Sequence, residues 1–208
     1  MKSKSYAVMA QRNGEAGGLD YFPTPPWATR ALMEHVILTR NNVDGMTCLE
    51  PACGEGHMAS VLREYFADVG AMDIKDYGFG AVQDYLSSAP DKQYDWIITN
   101  PPFNKANEFV IKALKEARHG VAILARTVFL ESVGRYRGIF QHNPPTVFAQ
   151  FVERVPMVKG RLSKSASTAT GYGWFVWEKD LEVQPALMLI PPCRKILEKE
   201  SDYELFSP

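Results

Sequence analysis

The chain has 208 residues, 46% hydrophobic and 23% charged, enough to bury one sizeable core and too few for two full domains. Lys plus Arg number 23 against 24 for Asp plus Glu, so the formal net charge is -1. That balance excludes whole-chain disorder and a generally basic, histone-like binder. Any contact with a polyanion must run through a local patch. No apolar run approaches the roughly 18–20 residues that span a bilayer. The N-terminus has no apolar segment of a secretory signal, so residues 1–19 are expected to form a flexible arm ahead of a single domain over 20–208. Cys48, Cys53 and Cys193 are odd in number and form no closely spaced framework, which points to a reduced, cytoplasmic setting. His35, His57, His119 and His142 show no ligand spacing, and no metal is expected.

The first element is a helix from Pro25 and Pro26 to about Arg40, with Thr24 as N-cap and Trp27, Leu32, Val36 and Ile37 on one face. Strands are expected over 46–50, 69–74, 81–85, 94–99, 120–125, 146–152 and 172–177. Helices are expected over 57–66, 105–118 and 128–140. The chain beyond Asp180 is less regular, with a last short helix over 193–199. Strands alternating with helices predict an open α/β sheet, mostly parallel and seven-stranded, with helices on both faces.

Two loops carry chemistry. The first, Leu49-Glu50-Pro51-Ala52-Cys53-Gly54-Glu55-Gly56, ends the first strand, at the sheet edge where such folds bind ligands. Gly54, Gly56 and Ala59 satisfy the alanine form of a dinucleotide fingerprint. Glu50 and Glu55 would repel a pyrophosphate, however. S-adenosylmethionine has none, and its ammonium and ribose would suit Glu50 and Asp73. A ligand-free βα turn is the third alternative.

The second loop, Asn100-Pro101-Pro102-Phe103, follows the fourth strand. Two prolines remove two backbone donors and restrict the residue before each. An amide oxygen and a neighbouring carbonyl can together accept both hydrogens of an –NH2 group. A ring-conjugated amine so held is drawn towards tetrahedral geometry, and its lone pair becomes available. Phe103 offers a face on which a base can stack.

With YFPTP ahead, LEPACGEG between and NPPF behind, the motif order resembles that of the S-adenosylmethionine-dependent adenine-N6 DNA methyltransferases. The spelling is most similar to compact members of phage or prophage type, and the resemblance covers about Asp20 to Trp177. It implies a Rossmann-like class I methyltransferase fold. It also implies that Phe22, Thr24, Pro25, Glu50, Pro51, Ala52, Gly54 and Gly56 surround the methionine end of the donor. Asp73 would take the ribose, Ile74 the adenine ring, and Asp84 the adenine amino group with Tyr85 beside it. Asn100 and Pro101 would hold the target amine, with Pro102 and Phe103 completing the catalytic motif. Larger DNA members carry a separate target-recognition domain, and no segment of these 208 residues is expected to be long enough for one. Glutamine-modifying relatives usually have Tyr at Phe103, and cytosine-N4 enzymes usually have Ser at Asn100.

The expected partner is DNA, with structured RNA as the alternative acceptor and a catalytically silent nucleic-acid-binding module as the other class. Arg126, Arg154, Lys159, Arg161 and Lys164 are the candidate phosphate contacts, the last three on or beside a Gly-, Ser- and Thr-rich loop over 159–171 that is expected to be mobile. Tyr172 and Trp174 are candidates for stacking on an extruded base, or else fill the core. Arg135 and Arg137 read as a helix's polar face.

Overall fold

The computed structural model describes residues 21–164, 166, 168–179 and 184–204. The arm expected over 1–19 and part of the loop over 159–171 lie outside the described residues. Eight strands form one sheet: β1 Thr47–Glu50, β2 Asp68–Asp73, β3 Ala81–Val82, β4 Trp96–Thr99, β5 Gly120–Arg126, β6 Val147–Phe151, β7 Tyr172–Glu178 and β8 Ala186–Ile190. Their order is β3-β2-β1-β4-β5-β7-β6-β8. β7 runs antiparallel to β5 and β6, and every other pair is parallel.

Alternation along the central strands divides the core into two layers, because successive strand side chains point to opposite faces. Cys48, Trp96, Ile98, Ala122, Leu124, Trp174 and Val176 face one layer. Leu49, Ile97, Val121, Ile123, Phe175 and Trp177 face the other. The first layer is covered by α1, Pro26–Leu32, and α2, His57–Leu62. The second is covered by α3, Ala106–Glu116, through Phe109, Val110 and Ala113.

Helix α1 starts with Pro26, while Pro25 rather than Thr24 is its N-cap and makes no side-chain capping bond. It continues as a wider turn over Met33–Ile37, closed by the Leu38 N–H on the Met33 carbonyl at 2.9 Å. Every residue of α1 is buried. Two short C-terminal helices, α5 Arg194–Leu197 and α6 Ser201–Glu204, close the chain. The fully enclosed Arg30 of α1 is their anchor. It donates to both Asp202 oxygens at 2.8 Å, to Glu64 at 2.7 and 3.0 Å, and to the Leu197 carbonyl at 2.9 Å. Burial alone would push the Glu64 carboxyl up, but hydrogen bonds from Arg30 and Lys199 outweigh it and leave it below the usual range.

Two expectations are corrected. The sheet has an eighth strand in the tail expected to be irregular, because Ala186–Ile190 pairs with β6 as an edge strand. The single helix read over 128–140 is broken. A 3-10 turn over Thr127–Leu130 is followed by α4, Val133–Arg135, and a wide turn over Tyr136–Phe140. Ser132 makes the break with φ 109°, and its hydroxyl accepts from the Arg135 N–H at 3.4 Å. Among the described residues no helix is long and apolar enough to cross a membrane.

Candidate active site

β1 lies between β2 and β4, with Leu49 paired to both Gly70 and Ile97. The loops that leave the carboxyl ends of β1, β2 and β4 therefore meet, and they wall one cavity. Its lining includes Phe22, Thr24, Glu50, Ala52, Asp73, Ile74 and the whole of Asn100 to Phe103.

Glu50 is 2% exposed, and its Oε2 has no hydrogen-bond partner. Burial pushes its carboxyl well above the usual carboxylate range, opposed by the Ala59 backbone N–H and reinforced by the Asp73 charge. A buried carboxylate with an orphaned oxygen calls for a cation. Asp73 accepts from the Gly54 N–H at 2.9 Å and the Lys75 N–H at 3.0 Å, one on each oxygen. Those bonds tie the glycine turn to the end of β2. Gly54 (φ 51°) and Gly56 (φ 87°) are both left-handed. A Cβ on Gly54 would stand 2.3 Å from the Tyr21 ring, and one on Gly56 would stand 2.4 Å from Phe79, so both positions also require the smallest residue.

Asn100 donates from Nδ2 to the Phe22 carbonyl at 2.9 Å. A carbonyl only accepts, so this bond fixes which end of the amide is which. The other end, Oδ1, is buried without a partner at the cavity wall. Phe103 packs against Phe22 with ring centroids 5.3 Å apart, and the Arg126 guanidinium lies 4.3 Å above the Phe103 ring.

No family model matches the chain. A curated relative, the type II methyltransferase M.TthHB8I of Thermus thermophilus, is 28% identical over 108 residues. That match covers 46% of this chain and 24% of the relative, so the chain spans about a quarter of its length. A Vibrio vulnificus protein provisionally assigned as the modification subunit of a type I restriction enzyme superimposes with a TM-score of 0.58 at 15% identity. It aligns with 91% of this chain and 52% of its own. A Pyrococcus horikoshii protein provisionally assigned as an RNA methyltransferase gives 0.57 at 14% identity, over 77% of this chain and 88% of that one. The fold is that of the class I methyltransferases.

Within that methyltransferase fold, several residues singled out from the sequence are not part of the cavity's lining. Pro25 caps α1, Pro51 is buried, and Gly54 and Gly56 form the turn beneath Tyr21 and Phe79. The Asp84 Oδ1 accepts from the Leu86 N–H at 3.0 Å and so closes its own turn. Tyr85 is corrected outright. It is 1% exposed and turned under α3, its ring 5.2 Å from Phe109. Tyr172 and Trp174 are corrected too. Their places on β7 alternate into the first core layer, and the Trp174 Nε1 donates to the Ala28 carbonyl at 3.1 Å. Neither can stack on a base from there.

The cations divide in the same way. Lys164 is exposed but pairs with Glu200 and lies over Tyr203. Arg135 is an internal brace, donating to the Phe129 and Glu131 carbonyls and to Asn107. Lys159 and Arg161 are exposed on a tight turn, bridged from Val158 to Arg161. Arg126 and Arg154 line a separate open recess beside Phe103.

Sequence reasoning missed Tyr21, Tyr77 and His57 as lining residues. Tyr21 lies across the glycine turn, packs tilted against Tyr77 with ring centroids 4.7 Å apart, and accepts from the Glu55 N–H at 3.3 Å. The Gly160 N–H donates to the Tyr21 carbonyl at 2.9 Å, so the turn at 158–161 holds this strap down. Tyr77, an aromatic four residues beyond the strand-end acid Asp73, was a usable signal in the sequence.

Proposed function

We propose that the protein transfers a methyl group from S-adenosylmethionine to the N6 amine of adenine in DNA, with the base extruded from the duplex. The observation that carries this reading is the buried, unpartnered Asn100 Oδ1 at the cavity wall, next to Pro101. A paired amide oxygen and carbonyl suit an –NH2 group. The partial likeness to a type II methyltransferase supports the same class of chemistry.

The residues present fit the donor. The orphaned Glu50 oxygen suits its ammonium. Asp73 keeps lone pairs for ribose hydroxyls after accepting two backbone N–H groups. Ile74, 57% exposed at the cavity, offers an apolar surface for the adenine ring. When bound, S-adenosylmethionine supplies an electrophilic methyl carbon on a sulfonium. Asn100 Oδ1 and the Pro101 carbonyl would accept the two amine hydrogens and localise the nitrogen lone pair. That pair would form the new bond to the methyl carbon, the old bonding pair would stay on sulfur, and the surplus proton would pass by way of the same acceptors to water. Phe103 holds the base flat while this happens.

The cavity encloses only about 60 Å³. Small-molecule sites are typically ~300–1,000 Å³. The donor therefore needs the cavity wall to open, and the Tyr21–Tyr77 contact, one tilted ring pair and one long hydrogen bond, is a weak part of that wall.

The donor half is tested by melting. S-adenosylmethionine at about 100 times its Kd should stabilise the fold by roughly 2.7 kcal/mol, and NAD should not. No stabilisation by S-adenosylmethionine would overturn it. The acceptor half is tested by digesting treated, unmethylated genomic DNA. N6-methyldeoxyadenosine is expected, and N4-methyldeoxycytidine in its place would overturn it.

Glu50 gives a pH-dependent prediction. The ammonium needs the carboxylate form, and the raised pKa means that this form is lost early as the pH falls. Donor affinity should weaken as the pH is lowered from neutral. Glu50→Gln should weaken it roughly 10- to 100-fold at neutral pH and flatten the pH profile. Titration calorimetry across pH reads both, and a wild-type affinity in Glu50→Gln would remove Glu50 from the ammonium site.

A further inference from the structure

An open recess of about 600 Å³ lies where the chain leaves β5, walled by Arg126, Thr127, Gln150, Arg154, Thr170 and Gly171. It does not share the donor cavity, but it adjoins the catalytic loop, because Arg126 also lies on the Phe103 ring.

Two features define what it takes. Arg126 and Arg154 have no carboxylate partner among the described residues. By contrast, Arg30, Arg40, Arg118 and Arg194 each have one. Two unneutralised guanidiniums converging on one recess select an anion. The second feature is the Arg126 Nε, which is buried and has no hydrogen-bond partner. The aromatic ring holds the guanidinium but leaves this donor unspent, so an acceptor entering the recess gains a bond that the resting protein does not make. The recess is sized by Gly171. A Cβ there would stand 3.1 Å from the Thr127 methyl and 3.4 Å from the Arg154 Nη1. The Thr127 N–H is already used by the Gly171 carbonyl at 3.0 Å, so the guanidiniums and side-chain hydroxyls are left to do the binding.

We infer that Arg126 and Arg154 form a clasp for the DNA phosphodiester beside the target nucleotide, and that Arg126 covers Phe103 until that phosphate draws it into the recess. This rests on the reading of the protein as an enzyme acting on adenine in DNA. The clasp couples two events. A phosphate in the recess pulls the cation from the aromatic face, and the base then takes the same face. A free nucleoside, which brings no phosphate, leaves Phe103 covered.

The test uses the full chain with a fluorescent, unmethylated duplex, reading anisotropy across a salt series. Arg126→Gln and Arg154→Gln should each weaken DNA binding about tenfold and reduce the slope of log affinity against log salt by about 1. Melting temperature and affinity for S-adenosylmethionine should stay at the wild-type values. Unchanged affinity and slope in both variants would overturn the clasp. A lowered melting temperature with an unchanged slope would also overturn it, by assigning the arginines to structure alone. The coupling is read from kcat/KM on free deoxyadenosine, which brings no phosphate. Arg126→Gln takes the cation off the Phe103 ring and should raise that value at least tenfold, and no rise would overturn the coupling. If the wild type binds DNA with the expected slope but methylates no adenine, the reading of function fails while the clasp stands.

Discussion

Asn100→Ala is expected to lower methyl transfer by at least about 100-fold, the scale seen when one preorganised polar contact to a reacting group is removed. The Asn100 side chain is the hinge between two parts of the site. Its Nδ2 is held by the Phe22 carbonyl at 2.9 Å, and its Oδ1 is left buried with nothing to accept from. Alanine removes the acceptor and leaves the Phe22 carbonyl without its donor. Donor binding should survive, because Glu50 and Asp73 belong to other strand ends. Initial rates with saturating donor, alongside calorimetric donor affinity, separate the two effects. Turnover at the wild-type level would remove Asn100 from the chemistry. An equal loss of donor affinity would make it a binding residue instead.

Arg30→Ala should be strongly destabilising, by about 3–5 kcal/mol, the cost of leaving a buried carboxylate unpaired. Arg30 is 4% exposed and Asp202 is 5% exposed, so the pair is held away from bulk solvent in the folded protein. The Glu64 pair and the Leu197 carbonyl bond go with it, and α5 and α6 lose their tie to α1. At this chain length a melting temperature roughly 6–20 °C lower is expected. The double change Arg30→Met with Asp202→Leu should recover part of the loss, since it removes both charges rather than one. A melt of Arg30→Ala within 2 °C of wild type would show that the cluster is decorative. The effect reaches the site because α1 follows directly from Phe22 and Thr24, two of the cavity's lining residues.

The central strands β1, β4, β5 and β7 were legible because they are buried on both faces and read as continuous apolar runs. β8 was not. Its residues lie between Pro185 and Pro191, and Leu187 and Leu189 are 68% and 64% exposed, so neither β-branching nor alternation marks it. The break at Ser132 was hidden because a left-handed serine has no sequence signature. At the site, Glu50 and Asn100 were legible because a strand end followed by glycines or prolines is a local feature. Their orphaned oxygens were not, since burial is a property of the fold. Tyr21 over the glycine turn and Arg126 over Phe103 were beyond reach, being contacts between segments far apart in the chain. Tyr172 and Trp174 went the other way. Their aromatic character suggested base stacking, but the register of β7 against β5 turns both inward.

The central claim is tested most directly by a single competition. The pure protein is incubated with labelled S-adenosylmethionine, unmethylated DNA and unmethylated RNA together, and the polymers are digested and the nucleosides separated. The label is expected in N6-methyldeoxyadenosine. Label confined to N6-methyladenosine from RNA, or no label in either polymer from protein that binds the donor, would contradict it.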